Sequence, residues 1–189
     1  MNDVVTALRK PGGVVLYPTE TLYGFGGRVG DLQAAIRIGN LKGRGLQPLI
    51  VLIDSIPFGM PPLAEAVAKE FWPGPVTLVV PARAGFLSEI QGPESTIALR
   101  WSPHPVVAKL VKAVGPITST SANRTGEVPV LKIDGQAFAV DAILDVGEIE
   151  PSLPSTMVHH SGKIIRRGAL ADEVSDFIKR WLADDSSTA

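Results

Sequence analysis

Several groups of polar residues in this 189-residue chain have the types and spacing to do chemistry. Tyr17-Pro18-Thr19-Glu20-Thr21-Leu22-Tyr23-Gly24 sets two threonine hydroxyls, a carboxylate and a phenol directly behind an apolar run, and its glycine permits close backbone approach to a ligand. Lys42-Gly43-Arg44 offers a point charge and a planar fork one residue apart on a glycine-rich stretch, a pair suited to polyphosphate. Ser119-Thr120-Ser121-Ala122-Asn123 ends another apolar run with small donors and acceptors that can hold phosphate oxygens without bulk. Arg100 closes Thr96-Ile97-Ala98-Leu99 and Arg166 closes Lys163-Ile164-Ile165, so two guanidinium groups are expected at strand ends facing one crevice. Taken singly, each group has a plainer reading: a capped turn, a solvated helix end, a polar turn, a surface arginine.

Other chemistries are excluded or weak. There is no cysteine, so disulfides, thiolate metal sites and a cysteine nucleophile are ruled out. Gly24-Phe25-Gly26-Gly27-Arg28-Val29 nearly matches the dinucleotide fingerprint, but valine holds its last position and a polar tetrapeptide intervenes after the strand. The Gly162-Lys163 pair is followed by Ile164 and not by a hydroxyl residue, so it is no P-loop. The three histidines, His104, His159 and His160, form no HExxH pair and lie near no GxSxG elbow. Boxed between two prolines, His104 reads as a helix-entry residue. A net charge of −1 means that any basic site is local. The N-terminus carries an acid at position 3 and no apolar stretch long enough for a leader or a membrane span, from which a cytoplasmic protein is expected.

Positioning these residues falls to alternating short apolar runs and amphipathic stretches. Strands are expected at 14–17, 49–53, 77–80, 96–100 and 117–120, with helices at 31–41, 62–71 and 104–114, the pattern of an α/β fold. The first of these helices starts from the cap candidate Asp31 and puts Leu32, Ala35 and Ile36 on one face; the second begins on a proline; the third stops at Gly115. Val174, Phe177, Ile178, Trp181 and Leu182 follow the spacing of a docked terminal helix, with a flexible tail expected over 184–189. With 45% apolar residues, and prolines and glycines spread evenly, one domain over 1–183 is expected.

In order along the chain, YPTETLYGFG, KGR with PLIVLI, FWPGPVTLVV, TIALRWSPHP, TSTSANRTG, PSTMV and IIRRG resemble the YrdC/Sua5 family from about Val14 to Gly168. The resemblance implies a twisted mixed open sheet flanked by helices around a concave ligand-binding crevice. It implies synthesis of threonylcarbamoyl-AMP and pyrophosphate from L-threonine, bicarbonate and ATP, feeding the t6A modification of tRNA. ATP is then a substrate, magnesium is carried by its phosphates with no dedicated metal site, and tRNA or double-stranded RNA and the t6A transfer machinery are possible partners. The chain resembles the short, single-domain members, and a monomer is expected. A paralogue that keeps the fold but serves as an RNA-binding or ribosome-maturation factor is the competing reading.

Carried over position by position, the resemblance assigns ATP contacts to Lys42, Arg44, Thr96, Ser121, Asn123 and Arg166, and threonine contacts to Thr21, Arg100, Ser119 and Ser155. Lys42 and Arg44 would stand where negative charge accumulates as the carbamate attacks phosphorus. No side chain is an evident general base; Glu20 and Tyr23 are candidates by proximity in sequence alone. The chain departs from the family at Gly45-Leu46-Gln47-Pro48, where a proline usually follows the arginine. It departs again at Leu52, a histidine in some relatives, and at His159, usually an aspartate.

Overall fold

The computed structural model describes residues 1–135 and 137–187. Its strands are β1 (Val15–Pro18), β2 (Tyr23–Gly26), β3 (Ile50–Leu52), β4 (Val76–Pro81), β5 (Thr96–Arg100), β6 (Ile117–Ser121), β7 (Ala142–Ile143), β8 (Thr156–His159) and β9 (Ile164–Arg166). Its α-helices are α1 (Asn2–Arg9), α2 (Leu32–Leu41), α3 (Pro62–Phe71), α4 (Pro105–Val114) and α5 (Ala171–Ser187). The strands form one mixed sheet in the order β7-β1-β2-β6-β3-β5-β4-β8-β9.

Strand alternation divides the apolar residues between the two faces. Leu16, Val51, Leu78 and Leu99 join the larger cluster beneath α2, α3 and α5, where Phe71 and Phe177 meet edge to face at 5.5 Å. Val15, Tyr17, Leu52 and Ile117 point the other way and meet Val4, Leu8, Val107, Leu110 and Val111 of α1 and α4. Those two helices cover only part of their face. Ile50, Arg100, Ser119 and Met157 line an open cleft on the rest of it.

The expected helices begin and end as their capping chemistry dictates. Asp31 accepts from the Ala34 amide at 3.0 Å and from Gly12 at 2.7 Å, starting α2 and tying it to the turn before β1. His104 is the N-cap of α4, its Nδ1 accepting from Val106 at 3.2 Å, and Gly115 at φ 81 ends that helix.

The face of α2 differs from expectation. Ala34, Ala35, Ile38 and Gly39 are its buried residues, whereas Leu32 and Ile36 are exposed. Small residues let this helix lie close to the chain beneath it: a Cβ on Gly27 would stand 2.7 Å from that of Ala34. β2 was not expected, since two of its four residues are glycines. A Cβ on Gly26 would meet Tyr17 Cε1 and the Thr118 carbonyl oxygen, both at 2.6 Å, so only glycine admits the buried tyrosine at that point. Unexpected too were α1, the two-residue β7 and β8. The last helix runs on through Ser187, into the expected tail; positions 188 and 189 lie outside the described residues.

Candidate active site

The cleft, of about 400 Å³, takes its walls from five places in the sequence. One is the tight connection between β1 and β2. There the Thr19 amide and hydroxyl both donate to the Leu22 carbonyl, at 2.9 and 2.8 Å, and the same hydroxyl accepts from the amides of Thr21 and Leu22. This self-closed turn holds Thr21 against the cleft, its hydroxyl 3.2 Å from that of Thr19.

The second wall is the end of α2. A Cβ on Gly39 would lie 3.0 Å from the Gly45 carbonyl oxygen and 3.1 Å from that of Arg44, so a glycine lets the Lys42–Arg44 loop fold back on its own helix. Lys42 turns inward and is almost wholly buried. Its ammonium donates to the Ser121 carbonyl at 2.6 Å, the Ser121 hydroxyl at 3.0 Å and Asn123 Oδ1 at 3.2 Å, on the third wall at the end of β6. Burial, reinforced by the charge of Arg44, pushes the Lys42 ammonium down to about 8.

The fourth wall is Arg100 at the end of β5, buried and ion-paired with Glu20. The fifth joins β8 to β9. Arg166 donates to the Ser155 carbonyl through Nε at 3.2 Å and Nη2 at 2.9 Å, and to the Ser155 hydroxyl at 3.0 Å. Ser155 also shares a 2.8 Å hydrogen bond with Thr77 beneath it. The pair is kept close by Gly168, where a Cβ would fall 2.0 Å from the Pro154 carbonyl oxygen. Burial, and then repulsion from Arg100, lower the Arg166 guanidinium from its usual value.

Nine of the ten residues singled out from the sequence therefore line one cleft: Thr21, Lys42, Arg44, Arg100, Ser119, Ser121, Asn123, Ser155 and Arg166. Thr96 does not. It starts the strand that Arg100 ends, some 13 Å away at about 3.3 Å per residue, and its hydroxyl donates to the Pro93 carbonyl at 2.8 Å. Glu20 and Tyr23 are not among the lining residues either. Tyr23 bonds with Asp145 and Gly147 and accepts from Val146, tying β2 to a distant loop. Of the departures in sequence, Leu52 is buried with α1 and α4, and His159 sits at the end of β8 beside Ser161, so neither reaches the cleft. Sequence reasoning missed Pro48, Ile50 and Met157, apolar lining residues that carry no chemical signal.

A cleft with four cationic side chains, hydroxyls and an amide, and no carboxylate among its described lining residues, suits anionic ligands. The family profile described as "Telomere recombination", which covers the Sua5, YciO and YrdC proteins, matches residues 7–168. The chain belongs to this family. A relative called threonylcarbamoyl-AMP synthase from Coxiella burnetii is 37% identical over 88% of this chain and 96% of its own. Another of that name, from Aliivibrio fischeri, is 33% identical over 89% and 98%. Among solved family structures, Pyrococcus abyssi Sua5 complexed with L-threonine superimposes with a TM-score of 0.83 at 33% identity, covering 92% of this chain. The chain spans 56% of that longer protein.

Proposed function

We propose that this chain is a threonylcarbamoyl-AMP synthase, a nucleotidyl-transferring enzyme that converts L-threonine, bicarbonate and ATP to threonylcarbamoyl-AMP and pyrophosphate for the t6A modification of tRNA. The observation that carries the reading is the convergence of four cationic side chains on one cleft, with Lys42 bonded to Ser121 and Asn123, and Arg100 ion-paired to Glu20 in the turn that carries Thr21. Relatives of that name match over nearly their whole length.

The triphosphate is assigned to the Lys42 and Arg44 end, with Arg166 facing it from β9. Lys42 enters the reaction already desolvated and aimed, so little reorganisation is needed when phosphate oxygens replace Ser121 and Asn123 as its acceptors. Threonine is assigned to the other end, its carboxylate on Arg100 and its polar groups near Thr21, Ser119 and Ser155. Its ammonium group gives one proton to solvent, and the free amine condenses with bicarbonate, losing water, to give a carbamate. A carbamate oxygen then attacks the α-phosphorus, the bond to the β-phosphate oxygen breaks, and pyrophosphate leaves with the electron pair. Positioning two anions against each other inside a cationic cleft supplies the catalysis. The cleft's donor set is cationic, so magnesium arrives on the triphosphate as part of the substrate and is not held by the protein.

The test is pyrophosphate release by the purified protein with ATP and magnesium, omitting threonine or bicarbonate in turn and replacing threonine by serine. Release that needs both reactants is expected. None under any condition, with ATP still bound, would move the chain to the non-catalytic, RNA-binding reading.

A further inference from the structure

Arg100 is a long charged side chain sealed beside an open cleft, and something must hold it. Three observations identify what does. Its Nη2 is ion-paired with Glu20 Oε1. The other oxygen of that carboxylate accepts from the Ser102 hydroxyl at 2.5 Å, and Ser102, almost wholly buried, accepts in turn from the His104 amide at 3.2 Å. Finally, Arg100 Nε is shielded from solvent and has no hydrogen-bond partner among the described residues. The guanidinium is thus gripped at one corner and left unsatisfied along another edge.

We infer that Glu20 and Ser102 form a brace that aims Arg100 at the carboxylate of the amino-acid substrate, making Glu20 a positioning residue for substrate binding. This rests on the function proposed above and assigns two residues that lie outside the cleft lining. The brace accounts for the acid in PTET and the serine in RWSPHP together. The turn Thr19–Leu22 places Glu20 on its back side while Thr21 faces the ligand, and α4, capped by His104, anchors Ser102. Glu20 is not the general base. Both its oxygens are engaged, one by a cation, and it does not line the cleft.

The charge balance gives the brace a second task. Arg100 and Arg166 both line the cleft, and repulsion from Arg100 adds to burial in lowering the Arg166 guanidinium. Without the Glu20 carboxylate, Arg100 would lose its ion pair and stand uncompensated in a cationic cleft, free to leave the position from which its guanidinium can close on a carboxylate. A small tilt of the braced side chain gives Nε an acceptor when the ligand arrives, so binding relieves an unmet donor.

Glu20→Gln, Glu20→Asp and Ser102→Ala are compared with the wild type in steady-state pyrophosphate release, with threonine and ATP varied separately and folding checked by thermal melting. The expected result for Glu20→Gln is a rise of about 10-fold or more in the KM for threonine, with the KM for ATP and kcat changed less than about threefold. Ser102→Ala should show a smaller shift in the same direction, and Glu20→Asp should recover part of the loss, because it restores the charge. Equal rises for both substrates, or a fall in kcat alone, would overturn the inference, as would an unchanged threonine KM. If the wild type itself needs no threonine, the proposed function fails and takes the substrate role of the brace with it, whereas a wild type that needs threonine and a Glu20→Gln with unchanged threonine KM overturn the brace alone. If Glu20→Gln does not fold, the Ser102→Ala split decides on the same criteria.

Discussion

Lys42 shows how a residue can be both anchored and poised. Its ammonium is held by three acceptors on β6 and the loop that follows, yet burial and Arg44 bring it down to about 8. The sign follows directly: below about pH 8 the amine is charged and can bind phosphate, and as pH rises through that value in the free enzyme the charge is lost. The kcat/KM for ATP should therefore fall above pH 8 in the wild type, while Lys42→Arg, which stays protonated, should lack that limb. Lys42→Ala should lower turnover by about 100-fold or more, since a cation facing developing charge is lost. Thr96 makes the opposite case. Its hydroxyl is used by the Pro93 carbonyl, so Thr96→Val should destabilise the fold by about 1 kcal/mol in denaturant melts while leaving the ATP KM unchanged. A raised ATP KM would return Thr96 to the site.

Elements bring these residues together through close contacts that no bulky side chain would allow. Gly39 supports the loop carrying Lys42 and Arg44, and the atoms a Cβ would press on there are backbone carbonyls. Gly39→Ala should thus shift that loop and raise the ATP KM several-fold in steady-state assays, with the threonine KM little affected. The same contacts explain what the sequence made legible. The helices α3 and α4 and the strand β5 could be read because proline, histidine and glycine mark their ends and Leu, Val and Ile mark their buried faces. The inward face of α2 could not, because Ala34 and Gly39 are buried through smallness while Leu32 and Ile36, the larger signals, are exposed. β2 was hidden likewise by Gly24 and Gly26, which make room for neighbours across the sheet. The residue types of nine cleft-lining positions were readable in motif order, whereas the place of Thr96, at the opposite end of the strand from Arg100, was not, because motif order carries no distance.

At the scale of the molecule, one face of the sheet is shared between a packed half and a reactive half. Val15, Tyr17 and Leu52 meet α1 and α4, and Ser119, Arg100 and Met157 on the same face are left to the ligands. The cleft thereby joins the turn after β1 to the β8–β9 pair near the other end of the sheet, and a ligand that fills it links segments far apart in sequence. Binding should stabilise the whole fold: at a ligand concentration 100 times Kd the gain is about 2.7 kcal/mol, or roughly 5–10 °C in Tm for a chain of this size. Leu110→Ala, which empties a fully buried position on the inner face of α4, should lower the baseline stability by about 2–5 kcal/mol yet keep the ATP-induced rise. Lys42→Ala should do the reverse, melting near the wild type without ligand and losing the rise with it. Differential scanning fluorimetry of the three proteins with and without ATP separates the two halves of the face. A rise abolished by Leu110→Ala in protein that is still folded would show that the packed half shapes the cleft instead of only supporting it.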